Sequence, residues 1–422
     1  MPEPTFGRVP FAQANAFLQR KLQLPSAHWD ELRGAVHAHA FMAAGATKLQ
    51  LVDDLHQAVI AARTGGETLS SFAKRFDEVV AKHGWSYRGN RAFRTRTIFQ
   101  TNMATAAAAG HWEQMMRTKA TRPYGMYLTA DDHAVRDEHR RWHRLILPLD
   151  HPWWRTHYPP NGWGCRCTVV SLSESDLKRL GLEVSEAPDL ERTDRVIGST
   201  GEIVKDVPRG IDIGWDYNVG EAAMGPPIAL GRTLATMNPA VRAQVLSPQR
   251  LLRFSRQLQV PWTPWAQAVL QADRTVAGAQ AMGYLSAPVL TWLARPLDKE
   301  GRISNVVPPQ QVTSALVLAE RGALLRNQPK RKGQRGLSAR DALLMPTLMA
   351  TAEAIYWDTA NGSLLYAWPT DGPGRSKKLI VRIEMPHKGE VLAKLRSGGT
   401  FESHQLGAKN FILIWRREDV GS

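Results

Sequence analysis

The chain has 422 residues, only two of them cysteine, and carries 54 Lys+Arg against 39 Asp+Glu for a formal charge of +15. With no third cysteine, a disulfide framework of the secreted type is excluded. No uninterrupted apolar run is long enough to cross a bilayer and no charged-then-apolar leader is visible, so no membrane role is expected and the chain reads as soluble. The composition, 43% hydrophobic and 22% charged with 14 Trp, is globular, and this length leads us to expect two or three domains. The basic excess favours an acidic partner, DNA or RNA first. It is also local: residues 151–250 hold 11 basic and 12 acidic residues, whereas residues 301–350 hold eight against two.

Residues 1–120 read as a helical region. In "LQLVDDLHQAVIAAR", Leu51, Leu55 and Val59 recur at i, i+4, i+8, and Gly65-Gly66 ends the segment. In "TLSSFAKRFDEVVAK", Thr68 is an N-cap candidate for a second stripe of Leu69, Phe72, Phe76, Val79 and Val80. A long alanine-rich helix follows over "RAFRTRTIFQTNMATAAAAGHWEQMMR". A small mixed domain is expected over 121–220. In it, "YGMYLT" and "CTVV" read as short strands flanking a helix around 132–144 and a long ring-rich loop, residues 173–180 read as a short helix, and "DIGWDYNVG" as irregular chain leading out. Over 221–305, prolines at 239, 248, 261, 264, 288 and 296 interrupt the helical pattern, which points to a connector rather than a compact core. Over 306–422, "SALVLAERGALL" reads as a helix, "NQPKRKGQRGLSAR" as a basic loop, and "ARDALLMP" as a helix stopped by Pro346. "EAIYWD", "LLYAW", "KLIVRIE" and "FILIWRR" read as strands, the first two joined by a hairpin at Asn361-Gly362. The fold class expected is α+β: helical start, mixed motif domain, helical connector, and a C-terminal antiparallel-sheet domain.

The chemistry concentrates around "PPNGWGCRC". Cys165 and Cys167, one residue apart, would point to opposite faces of an extended strand and so bridge each other poorly. His133, His139, His143, His151 and His157 lie nearby, and His139 and His143 share a face of the helix expected there. Two thiolates with His139 and His143 would suit a tetrahedral structural zinc. The same residues are also compatible with cysteines packed as small apolar groups and histidines in polar contacts. Asp132, Arg136 and His139 fall at i, i+4, i+7 on that helix. Arg136 would then clamp the following loop through carbonyls or a carboxylate, or Asp132 would orient His139 as a general base. No partnered nucleophile or phosphate-binding glycine loop accompanies them, and clamping is the better reading.

The run from "PFAQANAFLQRKLQLP" through "AFMAAGAT", "GETLSSFAKRF", "TRTIFQTNMATAAAAG" and "DDHAVRDEHRRWH…PPNGWGCRCTVV" resembles the phage Mu protein F-like minor head proteins. The resemblance covers roughly residues 10–220, including "GIDIGWDYNVG". Asp132, Arg136 and His139, followed by Pro159, Pro160, Cys165, Arg166 and Cys167, carry its most specific motif. It implies a minor capsid protein that joins portal, major capsid or scaffold proteins, assembles in the host bacterial cytoplasm and stays in the virion. Such a protein assists head morphogenesis, DNA packaging or ejection. The C-terminal strands are similar to the nuclease-like domains of the barnase–EndoU–colicin–RelE group that are fused to such proteins. That resemblance makes Lys378, Arg382, His387, Thr400 and His404 candidates. Arg382 with His404 is the pair for metal-independent RNA cleavage, in a phage-delivered effector as the alternative function. No His–Glu or His–His pair sits at a recognisable spacing, so nucleic-acid or portal binding ranks above catalysis. Lys330, Arg331, Lys332 and Arg335 form a basic loop for phosphates, with double-stranded DNA as its expected partner.

Overall fold

The computed structural model describes residues 11–271, 278–294, 312–328, 335–370 and 374–417. The chain divides into two compact units, residues 1–225 and 226–422. The fold is α+β, as expected.

The first unit is organised by its longest helix. Helices α1 (Ala12–Gln19), α2 (Leu49–Gly65), α3 (Leu69–His83) and α4 (Arg91–Thr118) precede the motif region, and a short parallel pair, β1 (Leu22–Gln23) and β2 (Ala40–Phe41), lies between the first two helices. Their ends follow local chemistry. Gly66 and Gly84 close α2 and α3 in the left-handed conformation. The Thr68 hydroxyl accepts the Ser71 N–H, and the Asn90 side chain accepts the Phe93 N–H at 2.7 Å. Leu51, Leu55, Val59, Phe72 and Phe76 are buried in one core with Trp112, Tyr127, Trp153 and Trp154. Small residues on α4 let its neighbours approach: a Cβ on Gly110 would stand 2.9 Å from the Ala14 nitrogen of α1.

Beyond α4 the chain forms β3 (Tyr124–Leu128), α5 (Asp137–Arg141), β4 (Ile146–Pro148), α6 (Trp154–His157) and β5 (Thr168–Leu172). The sheet order is β4-β3-β5, antiparallel throughout. Next come α7 (Glu174–Leu180), opened by a Ser173–Asp176 capping box, a hairpin of β6 (Arg192–Val196) and β7 (Ile203–Pro208), and α8 (Val219–Met224). The helix expected over 132–144 is only α5. Residues 132–135 form a turn in which the Asp132 carboxylate accepts the Ala134 N–H, and this competes with helix extension. The exit segment also turns back. Ile211, Trp215 and Val219 are buried in the core.

The second unit corrects two expectations. Residues 226–271 and 278–294 are not a connector. Helices α9 (Ile228–Thr236), α10 (Pro239–Val245), α11 (Pro248–Leu270) and α12 (Ala287–Leu293), with strand β8 (Ala279–Tyr284), belong to the compact C-terminal unit. α11 runs through Pro261 and Pro264. Each proline forfeits a helix hydrogen bond at a cost of about 3 kcal/mol in an ordinary interior. Packing offsets it: Trp262, Ala266 and Val269 are fully buried, and Trp262 Nε1 donates to the Ala342 carbonyl at 3.0 Å. The second correction concerns "SALVLAE", which is strand β9 (Leu316–Glu320), with a helix, α13 (Arg321–Arg326), only after it. Leu316 to Ala319 are all fully buried, and a continuous apolar run sealed on both faces has no helical or alternating period to read.

Short helices α14 (Ala339–Leu343) and α15 (Met345–Ala350) lead to β10 (Ala354–Asp358), β11 (Ser363–Pro369), β12 (Arg375–His387), β13 (Glu390–Glu402) and β14 (Phe411–Arg416). Among the described residues the sheet has seven strands in the order β14-β10-β11-β12-β13-β9-β8, antiparallel except where β13 meets β9. The Asn361-Gly362 hairpin forms, Asp358 pairing with Ser363 and Gly362 at φ +56°. Strand β13 escapes the pattern reading because Gly398 and Gly399 interrupt its apolar alternation. They are there for space: a Cβ on Gly399 would stand 2.2 Å from the Arg335 carbonyl oxygen.

The first unit carries a pH dependence. Burial, with the Lys21 charge nearby, pushes His37 down to about 4, and burial does the same to His39. The unfolded chain takes up protons as pH falls through about 6.5, but the folded unit does so only near 4. These histidines therefore contribute stability that is complete above pH 6.5 and lost on the way to 4. The denaturation midpoint of this unit should fall between pH 7.5 and pH 5, by up to about 2 kcal/mol per histidine, above the range where carboxylates titrate. An unchanged midpoint would place both imidazoles in water.

Candidate functional site

The loop "PPNGWGC" is held from three sides. Pro159 and Pro160, buried and joined by a cis peptide bond, lead into Asn161, which is fully buried. The Asn161 Oδ1 accepts the Tyr127 hydroxyl from β3 at 2.8 Å, and its backbone carbonyl accepts the Asp212 N–H at 3.0 Å. Arg136, at the N-cap of α5, reaches across the loop. Its Nη1 and Nη2 donate to the two Asp212 carboxylate oxygens at 3.0 and 2.9 Å, and Nη2 also donates to the Trp163 carbonyl at 3.0 Å. The Trp163 N–H returns a bond to Asp212 Oδ2 at 2.9 Å. A two-point guanidinium–carboxylate fork of this kind fixes orientation as well as distance.

Gly162 lies under that fork. A Cβ there would stand 2.2 Å from Asp212 Oδ2 and 2.4 Å from Arg136 Nη1, so only glycine fits. Outside it, Arg166 makes a second fork to Asp132, at 2.6 Å to each oxygen, and the guanidinium holds the Asp132 carboxyl down to about 2. Clamping by Arg136 is thus realised, but Asp132 pairs with Arg166. Neither shares a helix face with His139 as expected, because α5 starts too late.

His139 points inward from α5, 2% exposed and stacked on Trp142 with ring centroids 5.1 Å apart. Its Nε2–H donates to the Gly210 carbonyl at 2.9 Å. Its Nδ1 faces both thiols, 3.8 Å from Cys165 Sγ and 3.6 Å from Cys167 Sγ, so Asp132 does not orient it as a general base. Residues 165–167 precede β5 and follow Gly164 at φ +71°, so they are not extended strand and the thiols converge instead of diverging. Both cysteines are free. Cys165 is driven down chiefly by the Cys167 S–H it accepts, and Cys167 is driven up by the same contact and by burial. His143 is not in this group. It lies past the end of α5, where its Nδ1 accepts the Thr129 N–H and sits 2.8 Å from the Thr129 hydroxyl. The expected four-ligand set therefore reduces to His139, Cys165 and Cys167, whose ligand atoms lie within 4.8 Å of one another.

Sequence reasoning missed Asp212, Asn161, Tyr127 and Gly162. Asp212 stands in "GIDIGW", an acid between apolar residues and glycines, a signal that a loop-like reading of the exit segment hid.

The C-terminal candidates do not assemble. Arg382 is exposed on β12 opposite Ser363 and Lys394, and His404 is exposed in the turn Ser403–Gly407. Since β12 brings Arg375 opposite Glu402, seven residues separate the two along the ribbon, about 20 Å. They do not form an acid/base and cation pair. His387 lies 3.9 Å from Glu320, which also pairs with Lys394. Lys378 lies over the Phe401 ring, and the Thr400 hydroxyl accepts from Arg375 at 3.2 Å. Lys330, Arg331 and Lys332 lie outside the described residues, and Arg335 is exposed.

The clamp predicts graded losses. Gly162→Ala forces the fork apart and should make the 159–167 loop the first site of limited proteolysis, with the first unit losing about 1–3 kcal/mol. Arg136→Lys keeps the charge but not the fork, and should cost about 1–2 kcal/mol by denaturant midpoint. Wild-type stability in both would leave the fork without a role.

The family model described as Phage Mu protein F like protein matches residues 53–170. This span holds every motif residue from Asp132 to Cys167, and Asp212 lies beyond it. Protein F of Escherichia phage Mu, named for capsid assembly, is 31% identical over 416 residues, 90% of each chain. The Mu-like prophage FluMu F protein of Haemophilus influenzae is 27% identical over 423 residues, 92% of this chain and 98% of its own. No solved structure gives a significant match. A match of this extent, running through both units and through the clamped loop, shows that the chain belongs to the phage Mu protein F-like family.

Proposed function

We propose that this protein is a minor head component of a tailed phage, joining the prohead at or near the portal and assisting head assembly, DNA packaging or ejection. The observation that carries the reading is the 90% coverage of both chains in the match to a protein named for capsid assembly. Coverage on that scale runs through both units of this chain, not only the motif. The clamped loop supports a scaffold role. Its charged forks are spent on one another and on backbone, where a catalytic site would aim them at a substrate. No helix of the described residues is long and apolar enough to cross a membrane.

The C-terminal unit supports binding to packaged DNA better than cleavage of RNA. Arg382 and His404 stand about 20 Å apart, whereas the stretch Lys330–Arg335 carries four cations. Phosphate contacts need only charge density and reach, not a converged constellation.

Protein counting in purified proheads and virions should find the chain at a copy number far below that of the major shell protein. Absence from both particles would overturn the proposal. Replacing Lys330, Arg331, Lys332 and Arg335 by Gln in the full chain should flatten the dependence of log affinity on log salt for duplex DNA. The slope should change by up to about 0.9 for each phosphate no longer neutralised. An unchanged slope would make the stretch a solvated loop.

A further inference from the structure

We propose that His139, Cys165 and Cys167 are three ligands of one zinc ion, with solvent completing the tetrahedron, and that this ion locks the motif loop to α5. Four observations carry this inference.

Spacing is the first. Zinc binds imidazole nitrogen at roughly 2.1 Å and thiolate sulfur at roughly 2.3 Å. At the tetrahedral angle these bonds set nitrogen and sulfur roughly 3.6 Å apart. The two observed separations are 3.6 and 3.8 Å.

The tautomer is the second. The Gly210 carbonyl takes the Nε2 proton of His139, which leaves the Nδ1 lone pair directed at both sulfurs. A backbone carbonyl on the far nitrogen is the usual support of a metal-bound imidazole. A hydrogen-bonded thiol pair explains less: with the Cys167 S–H on Cys165 and the Cys165 S–H on Nδ1, nothing requires Cys167 Sγ to be the nearer sulfur to Nδ1, at 3.6 against 3.8 Å.

Rigidity is the third. His139 is stacked on Trp142 and 2% exposed, and the cysteine loop is pinned by the Arg136–Asp212 fork across Gly162. Each ligand is thus oriented by neighbours outside the cluster, as a preformed site requires.

Ligand number and access are the fourth. Two soft sulfurs and one imidazole favour zinc over hard cations. Among the described residues, no fourth side chain joins the group. Both cysteines, with Tyr158, Pro160 and Gly164, line a cavity of about 420 Å³, from which solvent would fill the remaining position. His143, which the sequence pattern offers as a ligand, is bound to Thr129 and is predicted to be dispensable.

The test uses the full-length chain purified from zinc-containing medium. Elemental analysis should find one zinc per chain, lost in Cys165→Ser, Cys167→Ser and His139→Gln and retained in His143→Ala. Exchange with cobalt should give a thiolate-to-cobalt charge-transfer absorption in the near ultraviolet, and added azide should shift the visible bands through the solvent position. In the wild type, a thiol reagent should modify both cysteines faster after chelation, a measurement that needs no variant to fold. Three results would each overturn the proposal: wild-type protein without zinc and without a cobalt spectrum, zinc retained in both cysteine variants, or thiol reactivity indifferent to chelator.

Discussion

Arg136 and Asp212 hold together parts of the first unit that are 76 residues apart in sequence, and the motif depends on the fork they make. The fork closes over Gly162, which brings the backbone of the cysteine loop within reach of both side chains. Trp163 is bonded from both sides, its carbonyl by Arg136 and its N–H by Asp212. A ring of mutually satisfied donors and acceptors has few ways to relax singly, so removing one member leaves charge or backbone unpaired. The convergence of Cys165, Cys167 and His139 sits directly on this ring.

Beneath it is an aromatic layer. Tyr127, Trp142, Trp153 and His157 pack in edge and stacked contacts, with Trp142 and Trp153 centroids 5.6 Å apart. Large rigid rings cover much area at low rotamer entropy, which suits a region short of regular structure. The high tryptophan count of the chain thus has a use: where hydrogen-bonded ladders are short, rings supply the rigid floor.

The second unit reaches stability by another route. Its sheet is buried deeply enough that β9 is apolar on both faces, and α11 keeps helical form through two prolines because its packed side outweighs the forfeited bonds. The residues expected to make its strands a nuclease do not converge. The register of β12 and β13 puts Arg382 opposite Lys394 in the middle of the ribbon and His404 past its far end, and a sheet of this kind does not by itself entail a chemistry.

Local chemistry alone determined much of this protein. The α2 and α3 periodicities, the Thr68 cap, the Gly66 stop, the Asn361-Gly362 hairpin and the α+β class each depend on neighbours within a few residues. The motif residues were likewise visible as residue types at fixed spacing. Tertiary structure decided their partners: Asp212 for Arg136, Arg166 for Asp132, and Gly210 with the two thiols for His139. It also ended α5 before His143, made β9 a strand, carried α11 past its prolines and drew residues 226–271 and 278–294 into the second unit. The physical reason is the same in each case. Side-chain partners and burial on both faces arise between segments distant in the chain, where spacing along the sequence holds no information about separation in space.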